Sequence, residues 1–193
     1  MGKVIIWTKQ NKAVLHQIAD EGRFVARERF MRAEHEDCSE IMLFLYRWLA
    51  NHMPIQETRP RDAVFPVWGA LSRDLSYPPD ESSVLIEAAI PEDSLCCIDI
   101  IKWTTVSNYS YLAKDEEDRL RHNEEMRRCG LHDAKAVMTQ FYPQQKRIIM
   151  NSWLRLFDGS SPTDPGKYAL FWEIRREWVR DVIRCEETAD RDD

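Results

Sequence analysis

Glycine is scarce in this chain, with 6 in 193 residues. Phosphate-cradling loops place two or three glycines close together so that backbone can approach a pyrophosphate. No such loop occurs here, and neither do the HExxH, GxSxG or protein-kinase signatures. A nucleotide site in this chain would have to be built from side chains and helix ends. No C-x-x-C pair is present, and the cysteines, Cys38, Cys96, Cys97, Cys129 and Cys185, are odd in number. No run approaches the ~20 apolar residues that cross a bilayer. The opening MGKVIIWTKQ has too short an apolar core for a signal peptide. These absences predict a soluble, cytoplasmic protein with reduced thiols and no membrane partner. A net charge of −6 makes nucleic acid a poor partner, because phosphate-backbone binding needs a basic face.

Apolar residues make up 44% of the chain and charged residues 31%, the balance of a globular domain. The length suits one domain, expected over residues 1–185, followed by a polar, acidic and flexible tail over 186–193. The 7 tryptophans stand out, since indole rings collect in cores and at ligand or partner surfaces.

KVIIW is a β-branched run and predicts a first strand. The following segment, KQNKAVLHQIADEG, puts Val14, Leu15, Ile18 and Ala19 on one helical face, with Gly22 at the stop. CSEIMLFLYRWLANHM carries a wide apolar stripe, which predicts a deeply buried helix ending before Pro54. Residues 54–82 hold five prolines and read as a long irregular segment with one short extended piece, FPVWGAL, of the kind that often serves as a lid. SVLIEAAI alternates as a strand, and the nearly all-apolar LCCIDII predicts a central one. DEEDRLRHNEEMRRCG reads as a solvent-facing helix, with acids first and bases last. Two more helices follow in DAKAVMTQF and PQQKRIIMNSWLRLFDG. The segment GKYALFWEIRREWVRDVIR reads as a strand that runs into a helix bearing Trp178, Val179, Val182 and Ile183. Strands at the start, middle and end with helices between them predict an α+β fold, a small mixed or antiparallel sheet with helices clustered around it.

Glu87 and Glu173 are each the single charge in a strand that is otherwise apolar. Burying a carboxylate is costly without a compensating partner. Each therefore faces outward, pairs with a structural arginine such as Arg155 or Arg175, or lines a cleft as a base or hydroxyl acceptor. HEDC and CGLH supply His35, Cys38, Cys129 and His132, which have the spacing of zinc ligands within each pair, but nothing brings the pairs together, so no metal is expected. Adjacent Cys96 and Cys97 point to opposite strand faces and suit core packing better than redox work.

Several stretches, taken together, resemble a known family: WTKQ at 7–10, PVWGAL at 66–71, VLIEAAIPEDSLCCID at 84–99, WTTVSNYSYL at 103–112, SWLRLFD at 152–158 and ALFWEIRREWV at 169–179. Their order and spacing resemble the bacterial family labelled domain of unknown function 3841, over nearly the whole chain. In that family Ser-Asp is usual where this chain has Cys97-Ile98 before Asp99. A more distant likeness joins the opening strand, helix and IADEGRF turn to ADP-ribosyltransferase folds, although Trp7-Thr8 stands where those enzymes typically carry His or Arg. That likeness implies NAD as cofactor and Glu173 as the catalytic carboxylate. It further implies Trp7 or Trp68 stacking on a flat ring, Thr8, Asn108 and Tyr111 on ribose, and Arg155 or Arg23 on pyrophosphate. The competing expectation is a non-catalytic regulatory module whose aromatic and arginine-rich surface docks a protein partner.

Overall fold

A computed structural model describes residues 2–27, 39–159 and 167–185. The β-branched opening forms β1 (Lys3–Asn11), paired antiparallel with β4 (Ser83–Pro91) from Lys3 opposite Pro91 to Asn11 opposite Ser83. On its other side β1 meets β3 (Val67–Ala70), with Trp7 opposite Ala70. β3 pairs with β6 (Tyr168–Phe171), and β6 with β5 (Leu95–Ile98). β8 (Val179–Arg184) closes the far side against β4, giving the order β5-β6-β3-β1-β4-β8 with every pair antiparallel. The α+β class with an antiparallel sheet is therefore the observed one. A short second sheet pairs β2 (Arg23–Val25) with β7 (Glu173–Arg175).

Each face of the large sheet buries its own core, because strand side chains alternate. Ile6, Ile86, Ile90, Cys97 and Phe171 pack with Val14 and Ile18 of α1 (Ala13–Glu21), and with Phe24, Ile174 and Trp178. The other face carries Cys96, Ile98 and Leu170 under a helical layer. That layer comprises α2 (Ser39–His52), α3 (Ile100–Ser107), α4 (Glu116–Arg128), α5 (Asp133–Met138) and α6 (Pro143–Ser152), which runs on as a 3-10 turn over Trp153–Phe157. Gly69 lies where strands crowd, and a Cβ there would stand 2.2 Å from Ile6 Cγ2. Gly22 ends α1 at φ 76°, a conformation that disfavours residues with a Cβ.

Three expectations need correction. Residues 179–184 are strand, not helix. Val179, Val182 and Ile183 fit helical spacing, but β4 would otherwise expose a row of unpaired N–H and C=O groups, and pairing with β8 satisfies them. LCCI is an edge strand rather than a central one. It is apolar because both layers cover it, with Cys96 in one core and Cys97 in the other. The run from Tyr168 to Arg175 is not one strand, since it breaks at Trp172 and changes sheet. Residues 28–38, 160–166 and the expected tail at 186–193 lie outside the described residues.

Candidate functional site

The break at Trp172 delivers Glu173 into β7, opposite Val25 of β2. Its side chain is only 5% exposed, and two guanidiniums compensate it: Arg23 Nη1 donates to Oε2 at 2.8 Å and Arg175 Nε to Oε1 at 2.6 Å. Arg23 also reaches Asp62 at 2.9 Å. The hydrogen bond to Glu173 is the main cause that raises the Arg23 guanidinium above its ordinary value. Both arginines keep over a third of their side chains in water, so the charge cluster is sealed on the carboxylate side only.

Glu173 and Arg175 line a cleft of about 260 Å³ together with Glu57, Trp172, Trp178, Thr58 and Ser94. Each indole has a guanidinium over its ring: Arg59 sits 4.5 Å from Trp172 and Arg175 sits 5.0 Å from Trp178. Trp172 is fixed further by its Nε1, which donates to the Ile55 carbonyl at 2.9 Å. Each carboxylate oxygen has two acceptor directions, so one guanidinium bond apiece leaves Glu173 able to accept further donors. The cleft thus offers two carboxylates, Glu57 and Glu173, one cation, Arg175, and a border of two largely buried indoles to a small polar ligand.

The other sequence-predicted residues lie elsewhere. Trp7 and Trp68 share the helix-covered face of the sheet, and both Nε1 groups are sealed from solvent without an acceptor. Trp68 packs against Trp103 at 5.2 Å and Tyr46 at 6.1 Å, as a core ring does. Thr8 points the other way and is 1% exposed; its Oγ1 donates to the Trp68 carbonyl at 2.6 Å and accepts from Gln10. Asn108 follows α3 and donates its Nδ2 to the Thr104 carbonyl at 2.8 Å. Tyr111 and Arg155 do come together, away from the lining of the Glu173 cleft. Arg155 lies 5.5 Å from the Tyr111 ring, donates to the Leu112 carbonyl at 2.6 Å and stands 3.8 Å from Asp118. Arg155 thus serves Asp118 and not Glu173.

Asp118 is the hub of that second cluster. It accepts from Lys114 N at 3.1 Å, Arg121 at 2.6 Å and the Tyr111 hydroxyl at 3.1 Å. These partners, the Lys114 N–H foremost, hold its carboxyl below the usual range. Glu87 takes the structural option, half-buried with Arg180 at 3.8 Å. In β5, burial pushes the Cys96 thiol up to about 12, which leaves little thiolate for redox chemistry. His35 and Cys38 lie outside the described residues, among which no cluster of three or more His, Cys, Asp or Glu could hold a metal.

Sequence reading named Glu173, Arg23 and Arg175 but missed Trp172 and Trp178 as the aromatic walls. The available signal was proximity, since both indoles flank Glu173 in the chain. No helix among the described residues is long and apolar enough to cross a membrane. No curated protein and no solved structure matches the chain. One family model, described as Domain of unknown function (DUF3841), matches residues 5–180. The chain therefore belongs to the DUF3841 family, as its scattered tryptophan-bearing motifs imply.

Proposed function

We propose that this domain binds a nucleotide in the cleft beside Glu173, and that its chemistry is NAD-dependent ADP-ribosyl transfer. One observation supports the reading above others: a nearly sealed carboxylate, held by two half-exposed guanidiniums, lines a cleft with two indole walls. Ligand sites combine apolar or aromatic walls with a few fixed polar groups in this way. The Glu173 carboxylate would accept the hydroxyls of a ribose, and the Arg175 edge would meet phosphate. During transfer the bond from C1′ to the nicotinamide nitrogen breaks and its electron pair leaves with nicotinamide. Glu173 would then stabilise the positive charge on the sugar until a nucleophile attacks C1′ and gives up its proton. In this reading the cleft, about 260 Å³, would take the nicotinamide-ribose end and the adenylate would lie outside. Trp7, Thr8, Trp68, Asn108, Tyr111 and Arg155 have no part in this version of the site.

Titration calorimetry with NAD, ADP-ribose and AMP, together with mass spectrometry of NAD consumption, tests the proposal. Binding is expected for NAD and ADP-ribose, weakened at least tenfold by Arg175→Ala, with NAD consumed by the wild type and not by Glu173→Gln. Binding without consumption would remove the transferase and leave the nucleotide site. No binding by any of the three would remove both. The docking-module reading draws on the exposure of Phe141 and Met138, at 84% and 59%. A nucleotide-negative result would leave it the better account.

A further inference from the structure

A second cavity, of about 290 Å³, lies between α4 and α6, and its lining does not overlap that of the Glu173 cleft. His122, Glu125, Met126 and Arg128 line it from α4, Cys129 from the cap of that helix, and Gln145 and Ile148 from α6. Positions 122, 126 and 129 fall on one helical stripe. His122 is 6% exposed, an unusual residence for imidazole on a helix that is otherwise highly charged.

Its ring is held from two sides. Nε2 lies 2.7 Å from Asp133 Oδ1, and the ring stacks on Tyr111 with centroids 4.0 Å apart and planes 9° from parallel. Asp133 in turn is fixed by the Tyr111 N–H, which donates to Oδ2 at 2.7 Å. A carboxylate accepts and does not donate, so the proton of the neutral imidazole belongs on Nε2 and the lone pair on Nδ1. Among the described residues nothing bonds to Nδ1. The side-chain atoms that are sealed from solvent without a partner are Trp7 Nε1, Trp68 Nε1 and Thr139 Oγ1, and Nδ1 is not one of them. Nδ1 is therefore not sealed, and His122 is one of the residues that line this cavity.

We propose that the cavity between α4 and α6 is a second ligand site, for a small apolar-bodied molecule carrying a donor hydroxyl, with His122 Nδ1 as acceptor. Met126 and Ile148 supply apolar wall, and Gln145, Glu125 and Arg128 supply a polar rim. An acceptor without a protein partner favours ligands that bring a donor. Asp133 and Tyr111 are positioning residues that set the tautomer and plane of the ring.

Phenol and anisole differ only by the methyl group that removes the donor, and both are small enough to enter. Phenol, titrated into the full chain labelled with ¹⁵N-histidine, is expected to shift the His122 ring signals saturably. Anisole should bind at least tenfold more weakly. Ile148→Trp, at a half-exposed rim position, should block the phenol response while preserving the His122–Asp133 signature. Equal affinity for phenol and anisole would overturn the proposal. So would a phenol response that survives Ile148→Trp, or no saturable change at His122. None of these outcomes depends on nucleotide binding at Glu173, so the two sites stand or fall separately.

Discussion

Glu173 and Asp118 are both nearly sealed from water, at 4% and 3% exposure, and they are satisfied in opposite ways. Glu173 is met by two whole charges, Arg23 from 150 residues away and Arg175 from two. Asp118 is met mainly at short range, by the Lys114 N–H, the Tyr111 hydroxyl and the fully neighbouring Arg121, with Arg155 more distant. The first arrangement ties β2 to β7 across the chain and keeps its cations at the surface, so the carboxylate can border a cleft. The second is a local hydrogen-bonded network that orders the 111–122 segment and places a Tyr111 ring under His122. Charge compensation builds a polar site; backbone and hydroxyl donors build a frame that orients an imidazole ring.

Removing the carboxylate tests that contrast most severely at Glu173. Glu173→Ala strands two guanidiniums that converge on one point and costs roughly 2–4 kcal/mol, below the value for a fully buried pair because both arginines can rehydrate. Urea unfolding followed by circular dichroism measures it. Glu173→Gln keeps one acceptor oxygen and should cost less, though more than the near-neutral change expected of an isolated strand glutamate. A loss under 0.5 kcal/mol for the alanine variant, the ~0.5 kcal/mol scale of ordinary surface substitutions, would mean that the clamp is not formed in solution.

Asp133 is the corresponding test in the second region. Asp133→Ala leaves the Tyr111 N–H and His122 Nε2 without their acceptor, at a cost of about 1–3 kcal/mol. It should also release the ring tautomer, which ¹⁵N shifts of the imidazole report directly. Loss of stability with the Nε2-protonated signature intact would show that something other than Asp133 orients His122.

The two regions were unequally legible in the sequence. β1 and β4 follow from β-branched alternation, and the wide apolar stripe of α2 follows from its period. The clamp was half visible: a charge inside the apolar run ALFWEIR announces that a partner is required. Which arginine answers depends on β2 meeting β7, a pairing that no local pattern encodes. The second region was hidden by composition. In DEEDRLRHNEEMRRCG the buried stripe is Asp118, His122 and Met126, spaced by four but containing one apolar residue, so hydrophobic periodicity reads the whole helix as wet. β8 was misread for the converse reason: its apolar spacing suits a helix, and only the need of β4 for a partner makes it a strand.

The smallest expected effect is a pH dependence that separates the two means of burial. In the folded chain Asp118 titrates below its usual value, chiefly because its ionised form accepts the Lys114 N–H, with Tyr111, Arg155 and Arg121 adding. A carboxyl whose folded value is depressed releases its proton more readily in the folded state than in the unfolded one. Its contribution to stability is therefore complete above the unfolded value of ~3.9 and is lost as pH falls through the lower folded value. Asp118→Asn removes that contribution at every pH. The gap in urea midpoint between wild type and Asp118→Asn should be constant from pH 7 to pH 5 and shrink progressively below about pH 4. A gap that stays constant down to pH 2 would show that the network holds the aspartate equally well in either protonation state, by packing and hydroxyl geometry instead of charge. The local frame around His122 would then owe nothing to the ionisation of Asp118, and the distinction between the two regions would rest on the Glu173 clamp alone.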